Sequence, residues 1–250
     1  MKNKCEGCGM PVKRDSDLFK KVIKSYWEYY RELEDEFLMT RRYVDFAENN
    51  FSTYSVEYLK LYQAVCSEID VIGKAMAQIL DPSFKPEDKQ NNILKWWFKI
   101  QNEYLLTEGP YTPLNPTTQI VRIGMSDYKC ILLGNYEFIP WANFKTEARI
   151  NRKNAIYYST VEGSNTPAWW KAYNAVKHNR LLIGSTMTNY EKANLGNLAT
   201  AFSGLYVLEK AFMDSVGCEK DLQSFLDYSR LFVKPRRLTT SEMDEWFKSV

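Results

Sequence analysis

Residues 193–208 read Ala-Asn-Leu-Gly-Asn-Leu-Ala-Thr-Ala-Phe-Ser-Gly-Leu-Tyr-Val-Leu, a run without a charged side chain. Its small residues Ala193, Gly196, Thr200 and Ser203/Gly204 recur at steps of three and four, while Leu195, Leu198, Phe202 and Leu205 point elsewhere. That period is helical. Each helical glycine costs about 0.8–1 kcal/mol relative to alanine, so a close neighbouring helix is the physical reason to place Gly196 and Gly204 there. The run predicts the central, most buried helix of a bundle. Asn194, Asn197, Thr200 and Ser203 make it too polar to span a bilayer.

A second seam supports this reading. Tyr58, Tyr62, Val65, Ile69, Ile72, Met76 and Ile79 alternate steps of four and three, the pattern of a helix lying along a nearly parallel partner. From Asp17 to about Asn49, Phe19, Val22, Tyr26, Tyr30, Leu33, Phe37 and Val44 predict a long amphipathic helix, with Ser16 or Asp17 as its cap. Joined through residues 49–53, the two are expected to form an αα-hairpin. Asp70 and Lys74 form an i,i+4 pair, and Glu68, one step off the seam, is expected to be partly buried and to need a partner. Asp81-Pro82 ends the second helix.

Beyond it, 85–103 predicts a shorter helix bearing Trp96, Trp97 and Ile100. Pro110, Pro113, Pro116 and Pro140 then punctuate two β-like runs, 119–123 and 129–133, expected to pair as a hairpin through Met125–Tyr128. Residues 104–163 read as an insertion too poor in core residues to stand alone. Helices resume at Thr166-Pro167, with Thr as cap and Pro at the first helical position, and run to Arg180. Thr188-x-x-Glu191 is a capping box for the next helix. A last helix near 220–230, the basic link Lys234-Pro-Arg-Arg237 and a short helix from Ser241 complete the expectation. The fold class is mainly α, a helical bundle with a small β-hairpin and loop insertion. Residues 1–16 form a tail and 17–250 a single domain.

Composition narrows the function classes. The chain has 250 residues and a formal charge of +2, from 33 basic and 31 acidic side chains, which argues against a polybasic nucleic-acid binder. With one histidine, a His-rich metal centre is excluded. The N-terminus lacks the apolar run of a secretory signal, and no stretch reaches the ~20 apolar residues of a spanning helix, so a cytoplasmic protein without membrane contact is expected. Cys66, Cys130 and Cys218 are expected to be small core residues or bystanders in a reducing compartment. Cys5-x-x-Cys8-Gly9 has the knuckle spacing that points two thiolates at one zinc ion. No second pair exists, so the tail is expected to be incidental and the chain to hold no cofactor; a zinc ion shared between two chains and a redox dithiol are the alternatives.

The histidine sits in Lys171-Ala-Tyr-Asn174-Ala-Val-Lys177-His178-Asn-Arg180. At 100° per residue, Trp169, Tyr173 and Val176 share a core-facing side. Lys171, Asn174 and His178 fall within about 60° of one another on a different side. Lys177 and Arg180 flank them. An imidazole transfers protons near neutral pH, and adjacent cations stabilise a developing phosphorane. These are the needs of metal-independent RNA cleavage. The plain alternative is a histidine meeting a helix dipole beside solvated neighbours. A metal-dependent hydrolase is disfavoured, because Glu68 and Asp70 are two apart and do not share a helix face.

Residues 54–74, residues 167–180 and the helix of 194–208 resemble helices of bacterial HEPN-like proteins. The resemblance covers about 17–103 and 164–230. It implies a helical bundle, frequent homodimerisation and often ribonuclease activity in toxin–antitoxin or antiviral defence systems, with RNA as substrate. Nuclease members carry Arg, four to six residues, then His. Here six residues separate Lys171 from His178, and lysine keeps the charge without the planar fork. By this resemblance His178 is the acid/base, Lys171, Lys177 and Arg180 hold phosphate, and Asn174 orients the histidine. The second reading is a non-catalytic helical scaffold that binds a protein partner.

Overall fold

A computed structural model describes residues 17–88, 91–108, 120–133, 135–182, 188–216 and 229–232. Among these the chain is mainly α. Its helices are α1 (Asp17–Thr40), α2 (Val56–Leu80), α3 (Ile93–Ile100), α4 (Ala168–His178) and α5 (Leu195–Val216). Between α3 and α4 lie three antiparallel strand pairs: β1 (Tyr104–Glu108) with β2 (Ile120–Gly124), β3 (Cys130–Leu132) with β4 (Tyr136–Phe138), and β5 (Thr146–Ile150) with β6 (Ile156–Thr160). None of the described helices is long and apolar enough to cross a membrane.

The central helix is the one expected. In α5, Leu195, Leu198, Ala199, Ala201, Phe202, Leu205, Val207 and Leu208 are fully buried. Its N-terminus differs. Thr188 N and Oγ1 do donate to Glu191 Oε2, but at the 3-10 turn Tyr190–Lys192, which has no side-chain cap, and not at the start of α5. The cap of α5 is Asn194, whose Oδ1 accepts from Asn197 N at 3.0 Å. Two further N–H groups of the first turn, those of Leu195 and Gly196, donate to Thr53 O and Phe51 O, each at 2.9 Å. A helix start leaves such donors without intrahelical partners, and here a loop supplies them. That corrects the reason for Gly196: a Cβ would lie 3.1 Å from Phe51 Cβ and 3.2 Å from Phe51 O, so the close neighbour is the loop and not a helix. Gly204 faces Trp169 of α4, 3.3 Å from where a Cβ would sit.

Every seam residue of α2 is buried, and Ser55 caps it by accepting from Tyr58 N. Its main partner, however, is α5, with α1 against both, so the expected α1–α2 hairpin is not the principal packing. The helix α1 stops at Thr40, short of Asn49. Thr40 Oγ1 donates back to Phe37 O at 2.7 Å, and Phe46 returns to stack on Phe37 with ring centroids 4.6 Å apart; the turn exists to bury that ring. The helix α3 starts at Ile93, not Lys85, because Asn92 Oδ1 accepts from both Leu94 N and Lys95 N. Pro167, rather than Thr166, is the residue before α4, with no side-chain cap, and the helix ends at His178.

Both β-like runs are strands, but they do not pair with each other. A 3-10 turn at Met125–Asp127, with Met125 fully buried, separates them, and each finds its partner on its other side. The insertion also feeds the core more than expected. Trp141 stacks on Trp97 at 4.5 Å and meets Trp169 edge-on at 5.1 Å. Its indole donates to Gly204 O at 3.2 Å, that of Trp97 to Phe144 O at 2.9 Å, and that of Trp169 to Pro140 O at 2.8 Å. A buried indole needs such an acceptor, so these bonds fix α3, α4 and α5 on the insertion.

Candidate functional site

The helix α4 buries Trp169, Trp170, Tyr173 and Val176, which fixes its roll. Trp169 docks on the insertion, and Tyr62 of α2 donates to Trp169 O from below. The opposite face therefore looks outward. Lys171, Lys177, His178 and Arg180 are exposed and Asn174 is half-buried. The helix carries no acidic residue. Lys177 Nζ lies 5.4 Å from the centroid of the Tyr173 ring, and burial pushes the Tyr173 phenol up to about 12, so that ring stays neutral beneath the cation.

A cleft of about 490 Å³ opens between α4, the middle of α2 and the start of α3. Lys171, Asn174 and Lys177 line one wall; Ser67 and Asp70 of α2 line another; Asn91 and Asn92 close one end. Asp70 is spoken for, accepting from Lys74 Nζ at 2.5 Å and Trp96 Nε1 at 3.0 Å. Lys171 and Lys177 have no ion-pair partner among the described residues, so the cleft is electropositive.

The expected stripe of Lys171, Asn174 and His178 is thus divided. The cleft gathers Lys171, Asn174 and Lys177, while His178 lies at the helix end and is not among its lining residues. No hydrogen bond joins Asn174 to His178, so the orienting role expected of Asn174 has no contact behind it. His178 is the last helical residue of α4. Cys5 and Cys8 lie outside the described residues, as do the segments expected to be helical at 220–228 and from Ser241. Among the described residues no cluster of three or more His, Cys, Asp or Glu could hold a metal ion. Cys66 and Cys130 are buried free thiols whose ionisation burial opposes.

One buried group was not foreseen. Glu209 of α5 is fully enclosed, and neither carboxylate oxygen has a hydrogen-bond partner. Burial, and next the charge of Glu68 across on α2, push its carboxyl well above the usual range. Burial raises Glu68 to about 7. Tyr26 of α1 stands beside both. Glu68 is buried as expected, but what lies near it is another acid, which supplies no hydrogen bond. The spacing Leu198, Phe202, Leu205, Glu209 continues the apolar steps of α5 and was the available signal.

Comparison of the chain with protein-family models, with curated proteins and with solved structures returned no match.

Proposed function

We propose that this chain is a HEPN-like helical protein of bacterial defence or stress response that cuts RNA without a metal ion. His178 is the proton-transfer group; Lys171, Lys177 and Arg180 hold phosphate. The observation that carries the reading is the exposed imidazole at the C-terminal end of α4, on a helix that also exposes Lys171 and Lys177, leads into the exposed Arg180 and carries no acid. An imidazole there takes the proton from a ribose 2′-hydroxyl as that oxygen attacks its own phosphate. The cations stabilise the charge that develops on the phosphorane. One chain has a single imidazole, so the proton donor to the leaving oxygen comes from a second copy, and the working form is a homodimer. Leu181 and Leu182, 87 % and 55 % exposed directly beyond His178, offer apolar surface for that contact.

The test is RNA cleavage in the presence of a chelator. His178→Ala is expected to lower the rate by ~10²–10⁴-fold with the fold intact, and Lys171→Arg to retain or raise it. Cleavage undiminished in His178→Ala refutes the assignment. A second reading, a non-catalytic scaffold, is favoured by a groove of about 680 Å³ between the end of α1 and the start of α2, where Tyr43 is 88 % exposed and Met39 is exposed beside it. It expects no cleavage in any variant and weaker self- or partner association in Tyr43→Ser.

A further inference from the structure

We propose that the cleft between α2, the start of α3 and α4 is a nucleoside-phosphate subsite, with phosphate on Lys171 and Lys177 and a base edge on the Asn174 amide. This deepens the RNA reading and rests on it for the source of the nucleotide. It assigns Asn174 to recognition instead of to His178.

The chemistry of the walls selects the ligand. Lys171 and Lys177 are six residues apart, about 9 Å along the helix axis at ~1.5 Å per residue, so together they bracket one anionic group and its neighbour. The acid facing them, Asp70, is held by Lys74 and Trp96 and leaves their charge uncompensated. Between the lysines Asn174 presents an amide with no protein partner: one acceptor and one donor side by side, the pair that matches adjacent donor and acceptor atoms on a nucleobase edge. Asn92 spends its oxygen on the α3 cap, so its NH2 group is left to face the cleft. Asn91 is held through Nδ2 by Lys85 O, which fixes which way its amide points, and its Oδ1 has no partner. Ile93, Leu94 and Trp170 supply apolar lining. A volume of about 490 Å³ falls in the range of small-molecule sites and exceeds what a bare phosphate needs.

The cleft and the imidazole lie on successive turns of one helix. A strand whose nucleotide occupies the cleft runs past Lys177 to His178 and Arg180. The subsite therefore positions the strand, and the histidine acts beside it.

The experiment titrates the full chain with AMP, ribose 5-phosphate, a phosphoserine peptide and a 2′-O-methyl hexa-adenylate, which lacks the attacking hydroxyl. The hexamer and AMP are expected to bind, and ribose 5-phosphate at least tenfold more weakly than AMP. Lys171→Met with Lys177→Met is expected to weaken hexamer binding at least tenfold and to flatten the salt dependence of log K by about 1.4, at ~0.7 per single-strand phosphate contact. Asn174→Leu is expected to remove the preference for AMP over ribose 5-phosphate, with an unchanged circular dichroism spectrum. His178→Ala is expected to bind the hexamer like wild type while losing cleavage, which separates failure of the subsite from failure of the catalytic reading. AMP binding without hexamer binding supports the site and assigns it to free nucleotides. Binding unaffected by the double lysine variant, ribose 5-phosphate or the phosphopeptide binding as tightly as AMP, or no nucleotide binding at all, overturns the proposal.

Discussion

Replacing Glu68 by glutamine is expected to stabilise the protein at pH 8 and to change little at pH 5. The carboxyl of Glu68 is raised from 4.5 to about 7 by burial, in contact with an α5 whose Glu209 has no hydrogen-bond partner on either oxygen. An acid whose pKa is higher folded than unfolded binds more protons in the native state. Stability is therefore greatest below the unfolded value and falls as pH rises from about 4.5 to about 7. At 1.36 kcal/mol per pH unit, that interval has a ceiling of about 3 kcal/mol. The carboxylate retains some solvent at its rim, and screening there reduces the working figure to about 2 kcal/mol. Glutamine keeps the shape and never ionises. For a chain of this size about 2 kcal/mol moves Tm by ~4–8 °C. The assay is thermal unfolding of both proteins across pH 5 to 8. A Tm difference that opens with rising pH is the expected result. A constant difference, or a variant less stable at pH 8, refutes the reasoning and shows that the charged form is compensated by a cation.

Other consequences follow from particular contacts. Gly73→Ala puts a Cβ 2.7–2.8 Å from three ring atoms of Trp96, whose indole is anchored on Asp70; a loss of about 1–3 kcal/mol in urea unfolding is expected. Glu34 is fully buried, and its Oε1 accepts from Tyr30 Oη, Ser229 Oγ, Arg230 N and Leu231 N. Glu34→Ala removes the acceptor these four donors share, leaves Arg230 N without its acceptor and takes the counter-charge from Arg31; it should cost about 3 kcal/mol, with faster proteolysis near 229–232. Asn194→Ala removes the α5 cap and should cost about 1 kcal/mol, measured as a lower urea midpoint with unchanged slope.

Much of the bundle was legible because helical periodicity is written locally. The seam of α2 and the uncharged run of α5 need no partner to be recognised, since alternation by three and four marks a buried face wherever the helix docks. The core face of α4 was legible for the same reason. Boundaries were less so. Thr40, Asn92 and Asn194 each end or start a helix through a bond to a backbone group, and several nearby residues in each segment have the chemistry to do the same. Strand pairing was misread because either run could satisfy its ladder on either side; the burial of Met125 chose.

The sequence by itself determined which faces are apolar, that the fold is mainly helical, and that one helix carries the single imidazole among cations. Only the tertiary structure decided what those faces meet. It set α2 against α5, brought the Phe51 loop onto Gly196 and Trp96 onto Gly73, placed Glu68 opposite Glu209, and turned Asn174 toward α2 while leaving His178 at the helix end. A helical repeat specifies direction around an axis. Position along that axis relative to another helix depends on side chains far away in the chain, and it is there that the cleft and the buried acid pair arise.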